Sequence, residues 1–405
     1  MTPTNRGRLR FFALIAILYF NQGFPFGIYD RTLNLYLSVE KVPLATIGLL
    51  STVGLAWTLK LFWAPLVDAV GTYRAWIFGS LIAMALALAT FAYVPAAGTV
   101  FWIAAAVLAF SSATQDIATD ALSIRITPAE RIGIVNSIRV TSARVAFIAA
   151  GGGLAILADR IAWKGAFLTS AIVPMIIIAL IAVFVPREAG GVERHENPVR
   201  ALLEWLGRER ALMLLAVVLL YRLGDSALRP MIAPYWISRG FTATEVGNVT
   251  TTLGMICVIA GAFAGGAFVM RFGIFRGLLW LGLLQMLSNL GYAYVAMTGA
   301  GRPAMYGAAI VETFCDGLGT AAFLSFLMFI CEKENAATEY AMLSAVFAIS
   351  RTLAGSVSGF FAQDLGYARY YWLTAALALP GLALLPLIRD RVRGEVTAAA
   401  TDAGT

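Results

Sequence analysis

The chain has 405 residues, 60% of them hydrophobic and only 13% charged, with a mean hydropathy of +0.79. A soluble domain carries about 25% charged residues, so this composition excludes an ordinary soluble globule and leaves a polytopic helical membrane protein. The net charge of +7 is read as basic cytoplasmic loops rather than a nucleic-acid surface.

Apolar runs long enough to cross a bilayer fall at 10–38, 43–66, 74–95, 99–124, 132–158, 164–185, 211–238, 243–270, 275–297, 303–330, 338–363 and 370–388, which predicts twelve transmembrane helices. No cleavable signal peptide is expected ahead of the first run. With both termini placed in the cytoplasm, seventeen basic loop residues fall inside and six outside, the asymmetry that the positive-inside rule requires. A polar segment over 187–210, with five arginines and five glutamates, is expected to separate an N-terminal six-helix bundle (1–186) from a C-terminal one (211–388), with a cytoplasmic tail over 389–405. Trp205 and neighbouring leucines suggest an amphipathic turn in that linker, and the lone histidine, His195, reads as a solvated linker residue. Cys257, Cys315 and Cys331 lack metal-ligand spacing, so no disulfide framework, metal or cofactor is expected.

The two halves echo one another at an offset of 202, which aligns Gly71 with Gly273 and Arg74 with Arg276. Ala64 to Arg74 and Gly266 to Arg276 both resemble the Gly-x-x-x-Asp-Arg-x-Gly-x-x-Arg loop of the major facilitator superfamily. The first keeps Asp68 without the leading glycine; the second keeps the glycine and Arg271 but has Met270 at the acid position. That resemblance implies an all-α fold of two pseudo-symmetric six-helix bundles with a site near mid-membrane.

The charges inside the spans are the functional candidates, because an ion in hydrocarbon costs at least about 2.5 to 3.5 kcal/mol and normally faces a bundle interior. Span one carries Asn21-Gln22-Gly23-Phe24-Pro25-Phe26-Gly27 before Asp30 and Arg31, read either as a broken segment lining a cavity or as a simple kink with a surface ion pair. Span four carries Asp116 and Asp120, and span ten Glu312 and Asp316, each pair one helical turn apart. Span seven carries Tyr221, Arg222 and Asp225. Burial favours the neutral form of a carboxyl, the property a proton carrier needs, so Asp116, Asp225, Glu312 and Asp316 are the proton-coupling candidates; permanent ion pairing is the alternative for each. Arg144 lies roughly 18 Å into span five and Arg351 near the middle of span eleven. Together with Gln22, Tyr221 and Arg222 they are the candidates for holding an anionic small-molecule substrate through bidentate hydrogen bonds. Arg144 could instead pair permanently with Asp116. Asp68, Arg74, Arg125, Arg271 and Arg276 form a candidate gating set at the cytoplasmic helix ends, and Lys60 is expected to snorkel to the headgroups. Gly151-Gly152-Gly153 and Gly261-x-x-x-Gly265 read as helix-packing glycines, not phosphate loops.

The order of short stretches is more specific. Gly23-Phe24-Pro25, Thr46-Ile47-Gly48, Lys60 to Asp68, Gln115-Asp116-Ile117, Leu223-Gly224-Asp225, Ala243 to Gly247 and Gly317 to Phe323 resemble, in order, the AmpG muropeptide permease family, over about residues 15 to 365. The resemblance implies a proton-driven symporter of the bacterial inner membrane that imports anhydromuropeptides for cell-wall recycling, and a monomer is expected. Related members that import siderophores or carry acetyl-CoA supply the alternative cargo. A membrane enzyme would need a nucleophile or metal constellation that one linker histidine does not provide.

Overall fold

In the computed structural model, residues 3–127, 132–184, 207, 211–330 and 336–389 are described, and every regular element among them is helical. That outcome follows from the composition: in lipid, backbone N–H and C=O groups must be satisfied within the segment, and a helix does this locally. The helices are α1 (Pro3–Gly27), α2 (Asn34–Val39), α3 (Leu44–Val53), α4 (Leu55–Leu59), α5 (Ala64–Ala69), α6 (Tyr73–Phe91), α7 (Thr99–Ile126), α8 (Ile132–Ile148) and α9 (Leu154–Phe184). They continue as α10 (Ala211–Leu220), α11 (Leu223–Leu228), α12 (Ile232–Ser238), α13 (Ala243–Val246), α14 (Gly254–Phe272), α15 (Ile274–Thr298), α16 (Arg302–Phe329), α17 (Ala336–Ala376) and α18 (379–389).

Among the described residues nine stretches are long and apolar enough to cross a membrane. Two of them, Ile138–Ala182 and Leu343–Arg389, run to 45 and 47 residues, far beyond the roughly 20 that one crossing needs. Each contains a backbone break, at Ala162 (φ 60) and at Gly366 (φ 71). The shorter apolar stretch Leu44–Leu59 stands apart from the nine. Large apolar side chains such as Leu86, Phe263 and Met328 are exposed, which suits hydrocarbon and not water.

Span one does not unwind where the Gly and Pro residues suggested a break. α1 runs through Pro25 to Gly27 and continues as a π-helical turn over Ile28–Leu33. Its glycines serve close approach: a Cβ at Gly23 would strike the backbone of Ala143, and one at Gly27 would lie 2.8 Å from Ala150 Cβ. Asp30 and Arg31 form an ion pair at 3.1 Å.

The chain divides into two compact units. The first comprises Met1–Val42, Val53–His195 and Trp236–Thr252. Its core holds an aromatic cluster of Tyr36, Phe91, Phe101 and Phe167 with ring centroids 5.0 to 6.2 Å apart. Three π-helical turns meet in it, Ile28–Leu33, Ala149–Gly153 and Gly247–Leu253. The Thr32 hydroxyl donates to the Ala150 carbonyl at 2.6 Å, and a Cβ at Gly151 would lie 2.6 Å from the Thr251 methyl.

The second unit comprises Pro43–Thr52, Glu196–Tyr235 and Leu253–Thr405. Its core is built by Leu214, Val217, Leu278, Leu281, Phe323 and Phe326 with their neighbours. α14 and α16 touch backbone to backbone: Cβ atoms placed at Gly261 and Gly317 would collide with the carbonyl oxygens of Phe314 and Val258. This is the role read for the Gly261-x-x-x-Gly265 pattern, since lipid offers helices no hydrophobic drive to associate and small residues let dispersion and dipoles act at short range.

Candidate functional site

In the first unit the polar face of α7 carries Ser111, Ser112, Gln115, Asp116, Thr119 and Ser123, all buried. Asp116 faces Lys60, whose Nζ lies 3.4 Å from Oδ2, and Gln22 approaches the same carboxyl. Lys60 therefore does not snorkel. It sits in the 3-10 turn Lys60–Phe62 after α4, and a neighbouring buried carboxylate stabilises the ammonium more than a distant headgroup would. The same contact replaces the Arg144 to Asp116 pairing that the sequence left open: Arg144 on α8 is exposed.

One turn on, Asp120 accepts from Arg139 at 3.0 Å and from the Tyr19 hydroxyl at 2.7 Å. Tyr19 also meets Ser123 at 2.8 Å, and the Arg139 guanidinium stacks 4.4 Å above its ring. Beside this network, buried polar atoms have no partner among the described residues: both amide atoms of Asn21, Ser112 Oγ, Gln115 Oε1 and Asp116 Oδ1. Phe26 and Tyr29, on α1 and the turn that continues it, pack against Trp57 at 5.1 and 5.0 Å.

In the second unit the buried Arg222 closes a charge cluster. Its guanidinium bonds Asp316 and the Thr320 hydroxyl, and lies 3.4 Å from Asp225. Arg229 reaches the same oxygen of Asp316 at 3.2 Å. Asp225 accepts from Gln285 Nε2 at 3.1 Å and from Asn289 Nδ2 at 3.3 Å. Tyr221 is buried, donates to the Leu278 carbonyl at 2.7 Å and stacks on Phe323. Glu312 is buried one turn before Asp316. Arg351 on α17 is partly exposed.

These positions sort the substrate candidates. Arg222 and Tyr221 are occupied by protein partners, whereas Arg351 and Gln22 retain access. Of the gating set, Arg74 donates to the Ala182 carbonyl at 3.2 Å and stacks over Phe78, while Arg271 and Arg276 are exposed, Arg271 over Phe272. The side chains of Asp68 and Arg125 lie outside the described residues, as do the linker, His195 and Trp205. Sequence reading missed Lys60 as an ion-pair partner and missed Gln285 and Asn289 altogether. The latter two were detectable as a polar pair one helical turn apart inside the apolar run 275–297.

Described residues whose regular elements are all helical, with membrane-crossing stretches and charge clusters buried between helices, have the architecture of a polytopic membrane carrier. The Major Facilitator Superfamily profile matches residues 11–219. An anhydromuropeptide permease of Escherichia coli K12 is 35% identical over 391 residues, covering 93% of this chain and 79% of the relative. A putative AmpG 4 transporter of Rickettsia conorii is 27% identical over 401 residues, 93% and 96% of the two chains. Among solved structures, a bacterial homologue of the human lysosomal transporter Spinster superposes with a TM-score of 0.76 at 13% identity, over 96% of this chain and 97% of that one. A POT family transporter gives 0.74 at 11% identity, over 94% and 96%. The chain belongs to the major facilitator superfamily and, within it, to the AmpG-like permeases; it is a transporter, not an enzyme.

Proposed function

We propose that this protein is a proton-coupled importer of anhydromuropeptides in the bacterial inner membrane. The observation that carries the cargo is the 35% identity, over 93% of the chain, to a permease named for that substrate. Counting each of the two broken long stretches as two crossings, and adding Leu44–Leu59, gives the twelve expected from sequence. The division into bundles over 1–186 and 211–388, a monomeric state and cytoplasmic termini belong to the same reading.

Arg351, with Arg144 and Gln22, receives the anionic and hydroxyl groups of the cargo. The acids Asp116, Asp225, Glu312 and Asp316 are the set from which the coupling proton is drawn. Asp68, Arg74, Arg125, Arg271 and Arg276 act at the cytoplasmic helix ends. What supports the acid set is its burial inside the spans, where ionisable side chains are rare and mark ion pathways.

The test is uptake of labelled anhydromuropeptide into proteoliposomes with an alkaline interior. The wild-type chain accumulates cargo and loses accumulation with a protonophore. Arg351→Ala lowers uptake by about tenfold or more, the worth of a hydrogen bond to a charged group. Accumulation that ignores the protonophore removes the coupling. Unchanged uptake in Arg351→Ala removes that residue from the site.

A further inference from the structure

Resting on the proton-coupled reading above, the geometry singles out one acid. We propose that Asp225 takes up and releases the coupling proton, and that Gln285 and Asn289 are positioning residues whose amides accommodate both of its charge states.

Three observations converge. First, Asp225 Oδ1 is held by two neutral amides, Gln285 at 3.1 Å and Asn289 at 3.3 Å. Second, the other end of each amide, Gln285 Oε1 and Asn289 Oδ1, is buried and has no partner among the described residues. An orphaned buried acceptor is costly, and a native structure that keeps two beside one carboxyl calls for an explanation. Third, a small cavity lined by Tyr221, Arg222, Asp225, Gln285 and Gly319 has room for about one water molecule.

The chemistry follows from what an amide can do. It presents a donor and an acceptor of the same shape, and its terminal torsion is roughly two-fold, so both orientations are rotamer minima. With Asp225 ionised, both N–H groups donate to it. When a proton arrives from water through the cavity, the carboxylate becomes a carboxylic acid, no other bond breaks, and one amide turns by half a rotation. The new O–H then donates to that amide oxygen, and the displaced NH2 points to the cavity water. The exchange gives one of the two orphaned amide oxygens a partner.

Asp316 and Asp116 are held instead by cations. Asp316 accepts from two guanidinium groups, Arg222 and Arg229, and neutralising it would leave two cations facing each other. Asp116 is tied to Lys60. Arg222 also faces Asp225, but at 3.4 Å, while Asp316 holds it more closely.

The titratable and charged groups around Asp225 are Tyr221, Arg222 and Arg229 from its own segment and Glu312, Cys315 and Asp316 from α16. α15 presents only neutral Gln285, Ser288 and Asn289. α17 packs on Gly224 through the Thr374 carbonyl and carries the phenols Tyr370 and Tyr371, which donate to the carbonyls of Ala227 and Met231.

The experiment is an infrared pH titration of the purified full chain, reading the C=O stretch of a protonated carboxylic acid, with proteoliposome transport run in parallel. The wild-type band titrates; it is lost in the isosteric Asp225→Asn and kept in Asp116→Asn, Glu312→Gln and Asp316→Asn. Gln285→Met and Asn289→Leu keep the band but displace its midpoint by about one pH unit, which loss of a hydrogen bond to a charged group implies; Asn289→Gln restores it. In transport, Asp225→Asn retains exchange and loses gradient-driven accumulation. A band that survives in Asp225→Asn, or midpoints unmoved in both amide variants, overturns the assignment while leaving proton coupling intact. A wild-type chain whose uptake ignores the pH gradient overturns the coupling reading itself and this assignment with it.

Discussion

Replacing Arg222 by leucine is expected to cost about 3 to 5 kcal/mol of stability, the penalty of stripping the partner from buried charges. The guanidinium is buried between Asp316, Asp225 and Thr320. The neighbouring cation, Arg229, bonds Asp316 at 3.2 Å. Arg222→Lys is predicted to recover little, because an ammonium is a point charge and cannot serve two carboxylates and a hydroxyl in one plane. The decisive comparison is the triple variant Arg222→Met, Asp225→Asn, Asp316→Asn. Removing the cation alone leaves uncompensated anions, but removing all three charges leaves a cluster of similar volume in which only the partly exposed Arg229 is still charged, and much of the lost stability returns. Thermal denaturation in detergent micelles reads the series. A leucine variant that melts with the wild type would mean that the three groups do not share one charge balance.

Most of the scaffold was legible because lipid imposes strong rules. Hydropathy located the spans, and the predicted gaps at 159–163 and 364–369 contain the two backbone breaks at Ala162 and Gly366. Acid pairs at one-turn spacing and the Gly261-x-x-x-Gly265 pattern could also be read, since both are local properties of a helix. What could not be read were partners far apart in sequence. Lys60 meets Asp116 across 56 positions, and Arg222 meets Asp316 across 94. Nothing in either local sequence says which cation each acid takes, because the choice is made by helix packing. The same holds for Pro43–Thr52, which groups with the second unit. That grouping depends on backbone contact, a Cβ at Gly48 falling 2.7 Å from the Gly359 nitrogen. Tyr221 and Arg222, read as substrate ligands from their place in span seven, bond protein groups that the local sequence does not announce: the Leu278 carbonyl for the first, Asp316 and Thr320 for the second.

Two glycines five positions apart on α14 should respond oppositely to the same substitution. A Cβ at Gly261 would collide with the Phe314 carbonyl oxygen and lie 3.1 Å from the Leu318 nitrogen, whereas at Gly266 it would meet nothing within 4 Å. Gly261→Ala must therefore push α14 and α16 apart, loosening the reciprocal seat of Gly317 against Val258 and Ala262 as well. Overpacking of this kind costs about 1 to 3 kcal/mol, and the upper end is expected because the obstructing atoms are backbone and cannot rotate away. Gly266→Ala adds a methyl in open space and removes the conformational freedom of a mid-helix glycine, so it should stabilise by up to about 1 kcal/mol. α16 also carries Asp316 and Thr320, which bond Arg222, so displacing it in Gly261→Ala should lower transport along with melting temperature. Equal melting temperatures for the two variants would show that α14 and α16 do not touch backbone to backbone at Gly261, and the helix that positions the charge cluster would then need another anchor.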